Sequence, residues 1–129
     1  MSSNRRTDTR PEKGLRSELH RRGHRFRKDM RIVVGDRSVR PDIVFTRSRV
    51  VVFCDGCFWH RCPEHATDPK TNSGYWMPKL MANVQRDRET DQLLLSAGWT
   101  VVRVWEHEIR SDVAAVASRV SPLLTPPVA

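Results

Sequence analysis

Two short apolar runs constrain the fold of this chain more than any other feature. The first run is Asp42-Ile43-Val44-Phe45 and the second is Val50-Val51-Val52-Phe53, with the polar segment Thr46-Arg47-Ser48-Arg49 between them. Apolar runs of this length that flank a four-residue turn are typical of a hairpin of buried strands. We therefore expect Phe45 to pair with Val50.

The segments around this hairpin predict one α/β domain over residues 1–129, in the order α-β-β-β-α-β-α. From the N-terminus, we expect a helix capped by Thr9 and ended by Gly23, a strand over residues 30–34, a turn at Gly35-Asp36, and the hairpin. There follow a helix from about Tyr75 or Met77 to Ala97 closed by Gly98, a strand over residues 99–105, and a short last helix capped by Ser111 and stopped by Pro122. The strand at 99–105 follows a helical crossover, so it should pair in parallel with an earlier strand. Residues 1–8 are expected to form a basic arm and residues 121–129 a flexible tail.

Basic residues outnumber acidic ones, with 23 Lys and Arg against 15 Asp and Glu and a formal net charge of +8. They are dense in the first quarter of the chain, which favours a polyanionic partner, nucleic acid first. The alternative is that they are solvated surface arginines.

The first helix has only Leu15 and Leu19 as an apolar face, so we expect it to rest on a sheet and to keep its arginines outward.

Several classes of protein are excluded by the pattern. No apolar run approaches the length of a bilayer span, which excludes a membrane-embedded protein. Residues 1–10 are polar and lack the apolar segment of a secretory signal, and the 3 cysteines cannot all pair within one chain. We therefore expect the chain to lie in a reducing cytoplasm. We also expect it to be a monomer.

Two acidic residues are expected to converge at the open end of the hairpin. Asp42 should lie opposite Phe53, and strand alternation then places Asp55 on the same face, beside the backbone carbonyl of Cys54. Oxygen ligands of this kind suit Mg²⁺, which binds one or two carboxylates and keeps waters and a substrate phosphate. The alternative is that both acids are ordinary turn residues.

A cluster of cysteines and histidines follows the hairpin. Cys57, Cys62 and His65 have the spacing Cys-x4-Cys-x2-His, and His107 follows the last strand. Two thiolates and two imidazoles make a closed tetrahedral Zn²⁺ site, which is structural because it has no open position. This assignment leaves His60 free of the metal. The alternative is that the cysteines are small buried hydrophobes.

Aromatic residues flank this loop on both sides, together with basic residues. They are Phe58, Trp59, Tyr75 and Trp76, with Arg61, Lys70 and Lys79 nearby. They can fill the core, as we expect of Trp99 and Trp105 on their strand, or stack against bases. Composition does not separate the two uses.

Several motifs in order resemble the very-short-patch-repair (Vsr) DNA mismatch endonucleases. They are Arg40-Pro41-Asp42-Ile43-Val44, Gly56-Cys57-Phe58-Trp59-His60, Pro69-Lys70-Thr71, Tyr75-Trp76, Asn83-Val84-Gln85-Arg86-Asp87, Gly98-Trp99-Thr100-Val101 and Val104-Trp105-Glu106. The similarity runs from about Thr7 to Ile109. It implies a PD-(D/E)xK restriction-endonuclease-like core, with a mixed central sheet flanked by helices. It also implies an enzyme that nicks one strand of duplex DNA beside a T:G mismatch left by deamination of 5-methylcytosine.

The resemblance also assigns roles to residues. Asp42 resembles the Mg²⁺-binding aspartate, and the Cys54 carbonyl falls where a strand-end residue also ligates metal. His60 resembles the catalytic histidine, Asp87 the acid that orients it, and Glu12 an N-terminal acid near the site. Phe58, Trp59 and Trp76 match aromatics that intercalate beside the mismatch. Without the resemblance, Asp87 is one acid on a helix face with Asn83 and Asp91, and Glu12 is the capping-box acid of Thr9.

The chain departs from the family pattern at several positions. His65 lies one residue from the place of an expected cysteine ligand, and His107 stands at a usual cysteine position. Asp55 stands where a histidine can occur, which suggests a second carboxylate for the metals. The signature lysine is absent, and Cys57 occupies its place.

We therefore expect an Mg²⁺-dependent endonuclease that acts on T:G-mismatched duplex DNA, in which His60 takes a proton from water and Asp87 fixes its tautomer. Two alternatives stay open. One is a zinc-stabilised DNA-binding module without catalysis. The other is a restriction or anti-phage nuclease with the same core, which would cut matched DNA equally well.

Overall fold

The computed structural model describes residues 10–56 and 73–124, except for the side chains of Ser73 and Trp76. The elements are α1 (Arg10–Arg21), β1 (Ile32–Val34), β2 (Arg37–Val39), β3 (Ile43–Phe45), β4 (Val50–Asp55), α2 (Ser73–Ser96), β5 (Thr100–Trp105), α3 (Glu106–Ser111), α4 (Val113–Val120) and a short 3-10 helix (Ser121–Leu123). The fold is thus mixed α/β, as the sequence predicts. No helix within the described ranges is long and apolar enough to cross a membrane.

The predicted hairpin is confirmed in position and register. β3 and β4 are antiparallel, and Phe45 pairs with Val50 across the turn. The turn includes Arg49 at a φ of 56°, which returns the chain into β4. The other edge of β3 forms a single antiparallel bridge with Arg27 through Val44.

β5 pairs with β4 in parallel after the α2 crossover, as predicted, and the sheet order is β3-β4-β5. Gly98 ends the helix with a φ of 93°, a conformation that favours glycine. The helix α2 begins at Ser73, two residues before the earlier of its expected starts, and Pro78 therefore lies in its second turn. That proline has no N–H to bond back to the preceding turn.

Each face of the three-stranded sheet covers a separate core. One core joins the sheet to α1, α3 and α4, and its buried members include Leu15, Leu19, Ile43, Val52, Val104, Ile109 and Val120. The other lies against α2 and β1 and includes Ile32, Val44, Val51, Leu94 and Trp99. α1 therefore rests on the sheet, as its Leu15 and Leu19 predict.

The expectation that α1 turns its arginines outward is wrong for Arg16. Its side chain is buried and forms an ion pair with the buried Glu12 one turn earlier. A buried guanidinium is tolerated where a carboxylate compensates its charge. The expected end of the helix at Gly23 is confirmed, because this residue has a φ of 90° and follows the last turn.

Two further elements differ from the prediction. The strand expected over residues 30–34 is present as β1 (Ile32–Val34), but it pairs in a hairpin with β2, which was not predicted, through Gly35 at a φ of 63°. The predicted last helix is present as α4, but Asp112 rather than Ser111 caps it by accepting from the Ala115 N–H, and the additional helix α3 precedes it. Pro122 lies within the short 3-10 helix that follows.

Candidate active site

A cleft of about 350 Å³ lies at the open end of the β3–β4 hairpin. Asp42 lies directly before β3, β4 contributes Cys54 and Asp55, and β5 contributes Arg103. From the helix side, α2 contributes Asn83 and Asp87. Strand alternation predicts that Asp42 and Asp55 share a face, and both do line this cleft. The cleft therefore combines acidic groups from three neighbouring elements.

Asp42 is fixed against the end of β4. Its N–H donates to the carbonyl of Val52 at 3.1 Å, which extends the hairpin pairing by one residue. Its Oδ2 accepts a hydrogen bond of 2.7 Å from the N–H of Cys54. Because β4 holds both the backbone and the carboxylate of Asp42, that carboxylate has a defined position, which is what a metal ligand requires.

Asp55 is 5% exposed and is paired with Arg103 of β5. Nη1 of Arg103 lies 3.0 Å from Oδ1 and 3.1 Å from Oδ2 of Asp55. A buried carboxylate needs such compensation, since its desolvation is otherwise costly. The structure thus gives Asp55 a partner that the sequence did not suggest.

Arg103 connects further acidic groups on α2. Its Nε donates to Asp91 at 2.8 Å, and its Nη1 lies 3.7 Å from Oδ1 of Asp87. Burial by itself would lower the pKa of Arg103, but the charges of Asp55, then Asp87 and Asp91, outweigh it and raise that pKa. Its guanidinium also stacks over the Phe53 ring, 4.1 Å from the centroid. Arg103 is therefore a permanent cation inside the cleft.

Asp87 lies half-buried on α2 and faces the cleft. Asn83 and Asp91 lie one turn before and after it, so the helix face predicted from their spacing is the face turned to the sheet. A purely solvated helix surface does not account for this position. His60, which the resemblance pairs with Asp87, lies outside the described residues.

Glu12 enters the interior from α1 rather than from the strands. It is 2% exposed and paired with Arg16, while the predicted capping partner Thr9 lies outside the described residues.

Burial, and then the charges of Asp42 and Glu12, raise the pKa of the Cys54 thiol. The Cys54 side chain packs against the core, as expected, and stays a neutral thiol.

Most of the predicted zinc and DNA-contact residues lie outside the described part of the chain. These are Cys57, Phe58, Trp59, His60, Arg61, Cys62, His65 and Lys70, together with the side chain of Trp76. His107 is described, and it lies half-buried on α3 directly after β5. Within residues 10–56 and 73–124, no three His, Cys, Asp or Glu side chains are grouped to hold a metal ion.

The rim of the cleft is basic although its floor is acidic. Exposed Arg37, Arg40 and Arg86 all line it. A cation rim around carboxylates suits a phosphate group that must approach an acidic floor.

Two of the aromatic residues outside the cleft differ in exposure. Tyr75 is exposed and carries Lys79 over its ring at 4.8 Å, whereas Trp99 is buried in the core as expected.

The model of the family "DNA mismatch endonuclease Vsr" matches residues 1–65, which include β3, β4 and both of their acids. Type II nicking enzyme V.NaeI from Lentzea aerocolonigenes is 55% identical over 116 residues, which cover 89% of this chain and 70% of that enzyme. The chain belongs to the Vsr family.

Other relatives support membership of the Vsr family along most of the chain. Type II nicking enzyme V.XorIIP from Xanthomonas oryzae pv. oryzae is 41% identical over 127 residues, covering 98% of this chain and 90% of the relative. DNA mismatch endonuclease Vsr from Escherichia coli K12 is 40% identical over 106 residues, which cover 80% of this chain and 64% of that enzyme. The resemblance read from the motifs is thereby confirmed.

The sequence reasoning missed Arg103 as a residue of the cleft. A lone cation within the valine-rich segment Thr100–Trp105 was the available signal. Once β5 pairs in parallel with β4, Arg103 stands beside Phe53, two residues before Asp55. The register of β5 against β4 therefore places Arg103 at the cleft.

Proposed function

We propose that this Vsr-family chain is a DNA endonuclease that nicks one strand of duplex DNA beside a T:G mismatch, by Mg²⁺-dependent hydrolysis of a phosphodiester. The observation that carries the proposal is the convergence of Asp42, Asp55 and Asp87 in one cleft under a basic rim. The names of the relatives, nicking enzymes and a mismatch endonuclease, agree with it. We also propose that the β3-β4-β5 sheet with its α2 crossover is the core of a PD-(D/E)xK nuclease fold.

The donor set at the open end of the hairpin fits Mg²⁺. Asp42, the carbonyl of Cys54 and, as a second carboxylate, Asp55 would hold the ion, which prefers few carboxylates and retains waters. When bound, Mg²⁺ neutralises the charge that develops on the phosphate and lowers the pKa of water. The position of Asp42, fixed by the N–H of Cys54, supports this assignment.

The chain's own groups would move the proton. We propose that His60 accepts a proton from the attacking water, while the oxygen of that water forms a bond to phosphorus and the bond to the 3′ oxygen breaks. The 3′ oxygen leaves with the bonding electron pair and takes a proton from solvent, which gives a 3′-hydroxyl. Asp87 would accept a hydrogen bond from the imidazole and fix its tautomer. Asp87 faces the cleft on α2, which is consistent with that role. Glu12 would act near the site from α1.

A structural Zn²⁺ would be held by Cys57, Cys62, His65 and His107. The position of His107 directly after β5 supports the proposal, because such a site would tie the loop after β4 to the end of the neighbouring strand. Two thiolates and two imidazoles leave no coordination position open. The zinc would therefore stabilise the fold without taking part in hydrolysis.

Mismatch preference would come from aromatic wedging. Phe58, Trp59 and Trp76 would insert between base pairs, with Arg61 and Lys70 on the adjacent phosphates. Unstacking a mismatched pair costs less free energy than unstacking a matched one, so a wedge favours T:G sites.

A strand-resolved nicking assay tests the proposal. Duplexes with a T:G pair, another mismatch or a matched pair are incubated with the protein and either Mg²⁺ or a chelator. We expect one strand of the T:G duplex to be cut only with Mg²⁺. Binding without cutting would favour a DNA-binding module, and equal cutting of matched DNA would favour a restriction-type nuclease.

A further inference from the structure

We infer that Arg103 is a positioning residue of this centre, which fixes the carboxylates of Asp55 and Asp87 relative to Asp42 and limits the negative charge presented to the cation. The inference rests on the proposed function. It assigns Asp55 a second role besides that of a metal ligand, as the counter-ion of an internal guanidinium.

The guanidinium is oriented by contacts on several edges. Nη1 points to both oxygens of Asp55, at 3.0 and 3.1 Å, and Nε points to Asp91 at 2.8 Å. Nη2 lies 3.5 Å from the backbone carbonyl of Asp87. Its face lies on Phe53, the residue beside it in the β4–β5 register. A planar fork held on edges and face is pre-organised, and lysine cannot reproduce this geometry.

This arrangement links α2 to the strands across the cleft. Asp55 belongs to β4, whereas Asp87 and Asp91 belong to α2, so Arg103 of β5 sets the separation of two elements that both line the site. A displacement of about 1 Å in a reacting group can cost about 100-fold in rate. Arg103 therefore acts on the reaction through the carboxylates that it holds.

The same cation also limits the charge of the cleft. Asp42, Asp55 and Asp87 line the cleft together, and the half-buried cation of Arg103 contacts two of them. Removal of its positive charge increases the attraction of the site for a divalent ion, because charges a few ångströms apart interact strongly when they are partly buried. Loss of Arg103 should thus strengthen binding of the ion while it weakens catalysis, whereas general damage to the fold would weaken both.

The test compares Arg103→Met with Arg49→Met. Arg49 also stacks on an aromatic ring, 4.5 Å above Trp99, but it lies at the opposite end of β4. Affinity for Mn²⁺ alone is measured without DNA by electron paramagnetic resonance, and kcat and KM are measured by nicking of T:G duplex. For Arg103→Met we expect about tenfold tighter Mn²⁺ binding and kcat about 100-fold lower, with KM within about twofold. Arg49→Met should match the wild type in all three.

Arg103→Lys separates charge from geometry and remains informative should Arg103→Met unfold. It should bind Mn²⁺ like the wild type and lose about tenfold in kcat. Unchanged or weaker Mn²⁺ binding by a folded Arg103→Met protein, or wild-type kcat in Arg103→Lys, would overturn the inference. A wild-type protein that never nicks DNA would refute the proposed function alone, because the Mn²⁺ measurement does not depend on cleavage.

Discussion

Arg16 forms an ion pair with Glu12 one turn earlier on α1, and both side chains are buried, with Arg16 9% and Glu12 2% exposed. The pair lies on the helix face that packs beneath the sheet with Leu15 and Leu19. Each charge is compensated by the other, so neither can be removed alone without leaving a buried charge.

Arg16→Met should therefore lower the free energy of unfolding by about 3–5 kcal/mol. Urea unfolding followed by circular dichroism measures the change. Lys13→Met is the matched control, because Lys13 is an exposed cation on the same helix. We expect its unfolding midpoint to stay close to that of the wild type, and equal losses in the two variants would argue against the buried pair.

Gly98 and Gly14 should respond to alanine with opposite signs. Gly98 has a φ of 93°, so Gly98→Ala should destabilise the protein by about 1 kcal/mol. Gly14 lies inside α1 and an added Cβ meets no atom within 4 Å, so Gly14→Ala should stabilise by about 0.5–1 kcal/mol. Thermal unfolding of the two variants checks both signs, and a shift in the same direction would contradict the argument.

The sequence predicted those parts of the fold in which local pattern and tertiary environment agree. The β3–β4 register followed from buried alternation and a four-residue turn, and the parallel β5 followed from the crossover helix. β2 was missed because Arg37-Ser38-Val39 is polar and mostly exposed, so it has no apolar period. α3 was missed because only Ile109 of its six residues is buried, so it has no apolar period, and the cap of α4 was placed at Ser111, one residue before Asp112.

In the candidate site, the sequence predicted acidic residues but not their partners. Asp42 and Asp55 were located by strand alternation within one hairpin. Arg103 is 48 positions from Asp55 and 12 from Asp91, and no local pattern reports such a contact. Arg16 was expected at the surface because a single charged residue beside Leu15 carries no sign of a buried counter-ion.

Substitution of a predicted zinc ligand should have a different effect from substitution of a cysteine that only packs against the core. Cys62→Ala should lose zinc and unfold at a much lower temperature, since metal binding free energy becomes folding free energy. Cys54→Ala is the control, because that side chain is a neutral thiol packed in the core. Atomic absorption should find about one zinc in the control and none in Cys62→Ala. Wild-type zinc content and stability in Cys62→Ala would contradict the assignment.

Glu18 should contribute to stability against acid. Hydrogen bonds from Arg21 and then Arg22 lower the pKa of Glu18 below its ordinary value of 4.5. The unfolded chain therefore takes up this proton first, and the stabilisation present at neutral pH is lost as the pH falls below 4.5. Glu18→Gln should make the thermal midpoint less dependent on pH in this range. If the thermal midpoint of Glu18→Gln falls with decreasing pH as steeply as that of the wild type, Glu18 does not contribute to the acid dependence.

The most direct test of a hydrolytic centre at the open end of the hairpin is the rate at which Asp42→Asn nicks T:G duplex in Mg²⁺. The asparagine oxygen can still accept from the N–H of Cys54, so the fold should persist while the charge for the metal is lost. We predict a rate at least about 1000-fold below the wild type, a loss of about 4 kcal/mol in transition-state stabilisation. Asp36→Asn, in the exposed β1–β2 turn, should keep the wild-type rate. Nicking by Asp42→Asn at the rate of Asp36→Asn would contradict the account.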